Sequence, residues 1–360
     1  MSMKLVFAVE RKTFNSEDHL GVVKKVKSQM KLFNENGIET TLCQYEWKDG
    51  YPQIEIDMDT AILYFRRIEP SIKLLVKLRE LKNTSSNLRI IMEIPTYPFA
   101  GEEIEKISVK RKVSRWIGER LIRFLIDRIV LVGQEKVIDR LYGIPVICAS
   151  NGTDFNSIVP KKTRNDIENE IHMVCVSGCF FWHGYDRLIK GMNTYYQNKD
   201  IQENVYLHVV GQGTCLEEYV ALANEYELND KYIFFYGNRE GAELDKIYDT
   251  CNIGIEVLGA HRKGMRMASS LKTREYAAKG LPIVSSVKLD VDNEETSQYI
   301  LNLPSNDNEI EINKIVQFYH DIYDGKNKAE ISKKIRECFY PYCDWSFVFC
   351  DVVEYIKRNC

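Results

Sequence analysis

At 360 residues the chain is too long for one ordinary hydrophobic core, so two domains are expected. Its 44% hydrophobic and 28% charged residues are those of a globular protein, and no apolar run approaches the ~20 residues of a membrane span, which excludes a bilayer-crossing helix. A net charge of −3 gives no overall basic balance, and no nucleic-acid partner is expected. It hides an asymmetry, however: the first 165 residues carry 28 basic and 21 acidic side chains, the remainder 21 and 31. The basic half is expected to face something anionic, either a membrane surface or a phosphate-bearing molecule.

The opening residues MSMKLVFAVE form a short apolar run that ends in a charge and lacks a small-residue cleavage site. They read as a strand and not as a signal peptide, which predicts a cytoplasmic location. From there KLVFAV, ETTLC, AILYF, LRIIMEI, RIVLVG and IPVICAS alternate with amphipathic stretches at 20–36, 71–82 and 104–126. The second half repeats the habit: HMVCVSG, NVYLHVVG, YIFFYG, NIGIEVLG and LPIVSS alternate with helical patterns at 185–196, 216–226, 244–248 and 271–279. Strands alternating with helices imply parallel sheets covered on both faces, hence an α/β fold of two doubly wound, Rossmann-like domains. The expected boundaries are 1–160 and 161–340, with a polar hinge at 156–170. An amphipathic C-terminal piece, 341–360, is expected to pack back on the first domain. The 10 cysteines are scattered, without a C-x-x-C pair or a cysteine–histidine cluster, which fits reduced buried thiols and no metal site.

In open parallel sheets ligands bind beyond the carboxyl ends of the strands, so the residues after each apolar run carry the information. The strongest such segment follows NIGIEVL and reads GAHRKGMRMASSLKTREYAAKGLPIVSS. Ser269 and Ser270 are capping-competent residues before Leu271 and a run of helix formers, and Gly280-Leu281-Pro282 stops that run. A helix N-terminus offers free N–H groups and the positive end of the macrodipole, which suits a diphosphate. Cations are unfavourable there unless an anion is bound, so Lys272, with Arg262, Lys263 and Arg266 upstream, argues for one. Glu275, three residues on, is placed to accept from ribose hydroxyls. A basic loop followed by a solvated helix with an internal ion pair is the plainer alternative.

This segment resembles the donor-binding signature of the family 4 glycosyltransferases of GT-B fold, in the variant S-x-L-K-x-R-E-Y-x-A-x-G-x-P of bacterial polysaccharide-assembly enzymes. The commoner pattern carries two glutamates, and Met267 stands where the first would fall. A second stretch, Ser177-Gly178-Cys179 through His183-Gly184-Tyr185-Asp186-Arg187-Leu188-Ile189, resembles the segment V-G-R-x(n)-K-G-x-D-x-L-I that opens the family's second domain. The arginine is missing, and His183 stands in the lysine's place, where its charge would depend on pH; a satisfied structural side chain is the alternative. The glycine turns Gly211-Gln212-Gly213 and Gly237 follow further strands. They are expected near the nucleobase and phosphates, or as turns without a ligand. Gly21 fits the family's glycine-rich turn after the first strand. Glu93, at the end of LRIIMEI, is expected to orient or deprotonate an acceptor hydroxyl, with Thr96 and Tyr97 on the acceptor side; a structural carboxylate is the alternative.

The resemblance implies a GT-B fold with an interdomain cleft and a hexosyltransferase. Sugar would pass from a nucleoside diphosphate, a UDP-sugar being favoured, to a glycan or polyprenyl-diphosphate-linked acceptor. It implies retention of anomeric configuration, a role in capsule or exopolysaccharide assembly, and no cofactor or metal, since Lys272 and His183 would stabilise the leaving diphosphate. A GT-B nucleotide-sugar epimerase or a non-catalytic GT-B subunit are the competing readings. Finally, Ile104–Arg128 interleaves eight Lys and Arg side chains with Trp116 and several aliphatics. That pattern predicts either peripheral binding to an anionic membrane or an ordinary domain helix.

Overall fold

The computed structural model describes residues 3–14, 20–95, 108–133, 137–162 and 169–359. The chain divides into two compact units, Met1–Thr153 joined by Trp345–Cys360, and Asp154–Asp344.

Among the described residues the main sheet of the first unit is built from β1 (Met3–Glu10), β2 (Ile38–Tyr45), β3 (Ile62–Arg66), β4 (Arg89–Ile94), β5 (Arg128–Val132) and β6 (Ile144–Ala149). The order is β2-β1-β3-β4-β5-β6, all parallel, with Arg140–Leu141 antiparallel at the β6 edge. Side chains alternate between faces along a strand, and here each face has its own core. Val6, Ala8, Leu63, Phe65, Ile90 and Met92 belong to one cluster, while Leu5, Phe7, Ile62, Tyr64 and Ile91 belong to the other. Burial on both sides is why these strands read as unbroken apolar runs. Helix α1 (Leu20–Glu35) contributes Val26 and Phe33 to one face, and α2 (Ile72–Thr84) contributes Leu74, Leu78 and Leu81 to the other. Ser71 caps α2 by accepting the Leu74 N–H at 3.2 Å.

The C-terminal stretch completes the core that holds Leu5 and Phe7. Trp345, Phe349, Val352, Val353 and Ile356 lie in the cluster with Leu5 and Phe33. The basic stretch expected as one helix across 104–126 is α3 (Val109–Leu121), capped by Ser108, with a 3-10 turn at Ile122–Phe124. Residues 104–107 lie outside the described part.

The second unit builds β7 (Glu170–Val176), β8 (Asn204–Val210), β9 (Ile233–Gly237), β10 (Ile253–Ile255), β11 (Ile283–Ser285) and β12 (Ile300–Asn302) into an all-parallel sheet of order β9-β8-β7-β10-β11-β12. Helices α4 (Tyr185–Gln197), α5 (Leu216–Glu225), α6 (Gly241–Thr250), α7 (Leu271–Lys279), α8 (Ile312–Tyr323) and α9 (Lys328–Cys343) accompany it. The strand order is that of a dinucleotide-binding sheet, and it reverses direction between β7 and β10.

The segment expected as a hinge, 156–170, belongs to this unit in its described part. Phe155 N–H donates to Asp344 at 3.1 Å, and the buried Lys161 ammonium donates to the Cys251 carbonyl at 2.7 Å. The chain therefore passes between units at Thr153–Asp154 and Asp344–Trp345. A polar composition concealed this, because the Lys161 ammonium is satisfied by the second unit's backbone.

Candidate functional site

The reversal in the second sheet opens a crevice, because β7 and β10 pair only at Met173–Ile253 and Val174–Gly254. Past that point the two strands part, and their backbone groups need other partners. The Tyr276 hydroxyl supplies them, accepting from Val176 N–H at 2.9 Å and donating to the Ile255 carbonyl at 3.1 Å. A Cβ on Gly254 would lie 2.5 Å from the Tyr276 ring, so the glycine lets that ring lie over the strand.

Helix α7 begins at the mouth of this crevice. Ser270 is its N-cap, accepting the Thr273 N–H at 3.2 Å, and Gly280 closes it in the left-handed conformation at φ +76°. Leu271 and Lys272 are its first two residues, whose N–H groups have no intrahelical partner.

Beside the helix start lies Glu256, fully buried just past β10. One oxygen accepts from the Ser270 hydroxyl and, at 3.1 Å, from the Thr273 hydroxyl; the other accepts the Val257 N–H at 2.9 Å and faces the Lys272 ammonium at 3.3 Å. The anion that a cation at a helix start demands is thus supplied by the chain itself. Sequence reading missed Glu256. Its signal was an acidic residue inside the run NIGIEVL, at a strand end where a charge must have a partner.

His183 is buried as well, and its Nδ1 accepts the Phe180 N–H at 3.3 Å. Burial, with the nearby Lys272 and Lys263 charges, holds its pKa well below the usual histidine value. It is therefore a neutral ring at physiological pH, which corrects the expectation that its charge would vary there. The Lys272 charge also acts on the buried Cys175 and Cys179 thiols, whose pKa values burial raises. Lys272, Glu256, His183 and the end of β7 therefore form one group.

The neighbouring glycine turns serve packing. Gly211 has φ +134°, and a Cβ there would lie 2.0 Å from the Ser177 carbonyl oxygen; at Gly213 it would lie 2.5 Å from that of Cys179. Gly211 N–H donates to the Gly237 carbonyl at 2.8 Å, and Cys179 N–H donates to the Gln212 carbonyl at 2.9 Å. Gly178 and Ser177 thus sit in a loop locked to the next strand end, with the Ser177 hydroxyl 2.5 Å from that of Tyr185.

Of the upstream cations, Arg262 is engaged by Asp186 through two bonds of 2.8 Å and by Asp307 at 2.8 Å. Lys263 lies 3.7 Å over the Trp182 ring, and Arg266 is exposed. Arg274 is fully buried against Asp290. Glu275 is half-buried beside Tyr248, whose phenol pKa burial and that carboxylate raise.

The remaining expected residues belong to the first unit. Gly21 is exposed in the first turn of α1. Glu93 on β4 is fully buried, ion-paired to Lys25 at 2.9 Å, and accepts from Gln29 and Tyr64 at 2.7 Å each. Burial favours its neutral form, but Lys25, Arg66 and the Tyr64 hydroxyl prevail and hold its pKa at about 2. A carboxylate so enclosed and so acidic anchors structure, and a base role does not fit it. Thr96 and Tyr97 lie outside the described residues.

Searches for related proteins return no matching family model and no matching curated protein. Solved structures do match along the whole chain. A glycosyltransferase from Rickettsia africae and a sucrose-phosphate synthase from Thermosynechococcus elongatus each superpose with a TM-score of 0.64 at 12% identity, covering 99% of this chain and 98% of theirs.

The fold is GT-B. The catalytic domain of starch synthase IV from Arabidopsis thaliana agrees, with a TM-score of 0.62 at 10% identity over 99% of this chain and 98% of that one. At such identities the likeness establishes the GT-B architecture and leaves the chemistry to the site.

Two outcomes follow from this geometry. Glu256→Gln leaves the Lys272 ammonium facing no carboxylate and should lower unfolding free energy by about 3 kcal/mol in urea titrations; a change below about 1 kcal/mol would remove Glu256 as the anchor. Unfolded His183 takes up a proton near pH 6.5, whereas folded it does so only well below. The unfolded state therefore binds more protons below that value, and the contribution of His183 to stability is lost as pH falls from about 6.5. His183→Asn should lose less stability than the parent between about pH 7.5 and 5.5, and parallel profiles would contradict the buried neutral ring.

Proposed function

We propose that the chain is a glycosyltransferase that takes a sugar from a nucleoside-diphosphate donor held by the second unit. The observation that carries this reading is the convergence of the α7 N-terminus and Lys272 on the crevice between β7 and β10. That is where a parallel sheet of this order binds nucleotides, and it is polarised for a diphosphate. Breaking the anomeric bond places negative charge on the departing diphosphate. Lys272 and the N–H groups of the first helical turn meet that charge, so they act more strongly in the transition state than before it. Glu256, 3.3 Å from the ammonium, holds it aimed at the crevice, which reduces reorganisation on binding. His183, being neutral, contributes a hydrogen bond and no charge, so the electrostatic load falls on Lys272. Glu275, oriented by Tyr248, accepts from the ribose hydroxyls.

By its resemblance to polysaccharide-assembly enzymes, the donor is a UDP-sugar, the acceptor a glycan or lipid-linked hydroxyl, and the anomeric configuration is retained. The cationic clamp takes the place of a metal ion. A thermal-shift screen of nucleotide sugars identifies the donor. Lys272→Ala should then slow transfer about a hundredfold, equivalent to about 3 kcal/mol of transition-state stabilisation. Unchanged turnover would sink the assignment.

Helix α3 supports work at the cytoplasmic face of a membrane. It packs inward through Gly118, where a Cβ would lie 2.5 Å from the Pro70 carbonyl carbon, and through Arg111 and Arg115 to Glu69. Its outward side carries Val109, Val113 and Trp116, which are 76%, 52% and 55% exposed, and Phe124 just beyond is 69% exposed. The Arg120 guanidinium stacks 3.7 Å over Trp116, and Arg123 lies 5.0 Å over Phe124. An outward apolar stripe flanked by cations suits an anionic bilayer surface. No helix among the described residues is long and apolar enough to cross a membrane. Co-sedimentation with phosphatidylglycerol vesicles should fall severalfold in the Trp116→Ser, Phe124→Ser double variant. Equal binding of parent and variant would argue against this surface.

A further inference from the structure

The first unit carries a cavity of about 240 Å³ that the donor chemistry does not use, lined by Glu10, Thr13, Tyr45, Arg66, Arg67 and Pro95. Its position follows from topology. Glu10 ends β1, Tyr45 ends β2, Arg66 ends β3 and Pro95 follows β4, so the cavity lies beyond the carboxyl ends of four adjacent strands. Strand β1 sits between β2 and β3, where the order of the sheet reverses and open α/β sheets take their ligands. The volume is below that of a drug-sized pocket and suits one charged group with part of a sugar.

The charges around this cavity do not close. Arg66 carries a guanidinium whose Nη1 is shielded from solvent and has no hydrogen-bond partner among the described residues. The described carboxylates around it, Glu93, Glu10 and Glu46, are already committed. Glu93, whose ionisation Arg66 favours, has one oxygen on Lys25 at 2.9 Å and the other on Gln29 and Tyr64 at 2.7 Å each. Glu10 accepts from the Trp47 indole at 3.0 Å through one oxygen and from the Thr13 hydroxyl at 3.2 Å through the other. Glu46, close by in sequence to Tyr45, is taken by Arg11 at 2.5 Å. An arginine nitrogen shielded without a partner leaves its charge poorly compensated, and an anion held in the cavity that Arg66 lines would offset that charge. The Arg67 backbone is fixed by its N–H to the Glu93 carbonyl at 2.7 Å, which holds the paired arginines at the strand end.

We propose that this cavity is an anion subsite, in which Arg66 receives a phosphate or carboxylate carried by the molecule to which the sugar is transferred. Arginine at a strand end suits either group, because its planar fork matches two oxygens at once. The anion site stands on the geometry of the first unit; only its assignment to the acceptor rests on the transferase reading.

The test is calorimetric titration of inorganic phosphate into the full chain with UDP saturating the second unit. Binding should weaken at least about tenfold in Arg66→Gln and be partly restored in Arg66→Lys, with thermal melts confirming that each variant is folded. Unchanged phosphate affinity in Arg66→Gln, or no phosphate binding by the parent, overturns the proposal. Lys272→Ala should lose UDP and keep phosphate. Arg66-dependent phosphate binding in a chain that binds no UDP would therefore end the transferase reading and leave the anion site standing. Glucose 6-phosphate and phosphatidylglycerol vesicles, each compared between parent and Arg66→Gln, assign the anion to a soluble sugar phosphate or to a lipid headgroup by which of the two loses affinity.

Discussion

The second unit is organised around one buried carboxylate. Glu256 accepts from Ser270, Thr273 and Val257 and faces Lys272, so it joins the end of β10 to the first turn of α7. An isolated carboxylate at that depth would be prohibitively costly, and this one persists because every donor around it is fixed by secondary structure. The N-cap serine, the helix direction and the lysine position are all constrained by the same group. Tyr276 completes the joint by bridging the strands where they part.

The first unit uses the same device in a different place. Glu93 on β4 is held by Lys25, Gln29 and Tyr64, and with Lys25 and Gln29 it ties α1 to the sheet. Both units thus bury a lysine–glutamate pair near the middle of a parallel sheet. The environments differ in access. Glu93 is enclosed and strongly acidic, whereas the Lys272 side chain keeps 14% of its surface exposed at a crevice. That difference in access separates an anchor from a group that can meet a ligand. It also directs attention in the first unit to Arg66, whose guanidinium Nη1 lacks a hydrogen-bond partner among the described residues.

The electrostatics favour a division of labour. His183 is kept neutral by burial and by Lys272, Arg262 is spent on Asp186 and Asp307, and Arg274 is spent on Asp290. Of a basic segment that looks uniformly suited to an anion, Lys272 is the cation the crevice presents beside the helix start. The neutral His183 is consistent with this, because a second full charge beside Lys272 would be repelled.

Strand and helix order was legible because residues buried on both faces must be apolar, and helices at 71–82 and 271–279 announce themselves through Ser71, Ser270 and Gly280. The segment around Lys272 was legible for the same reason, since capping and helix-stop residues are local signals. Partners were not. Glu256 and Lys272 are 16 positions apart and Lys25 and Glu93 are 68 apart, so nothing in the local pattern couples them. The place of 156–162 in the second unit was not legible either, because backbone groups distant in sequence satisfy Lys161. The sequence alone thus determined the α/β alternation and the helix start that faces the crevice, through short-range periodicity and capping. Only the tertiary structure decided which charges are neutralised, which carboxylate is an anchor and which arginine nitrogen lacks a hydrogen-bond partner among the described residues, because those depend on what folding brings within a few ångströms.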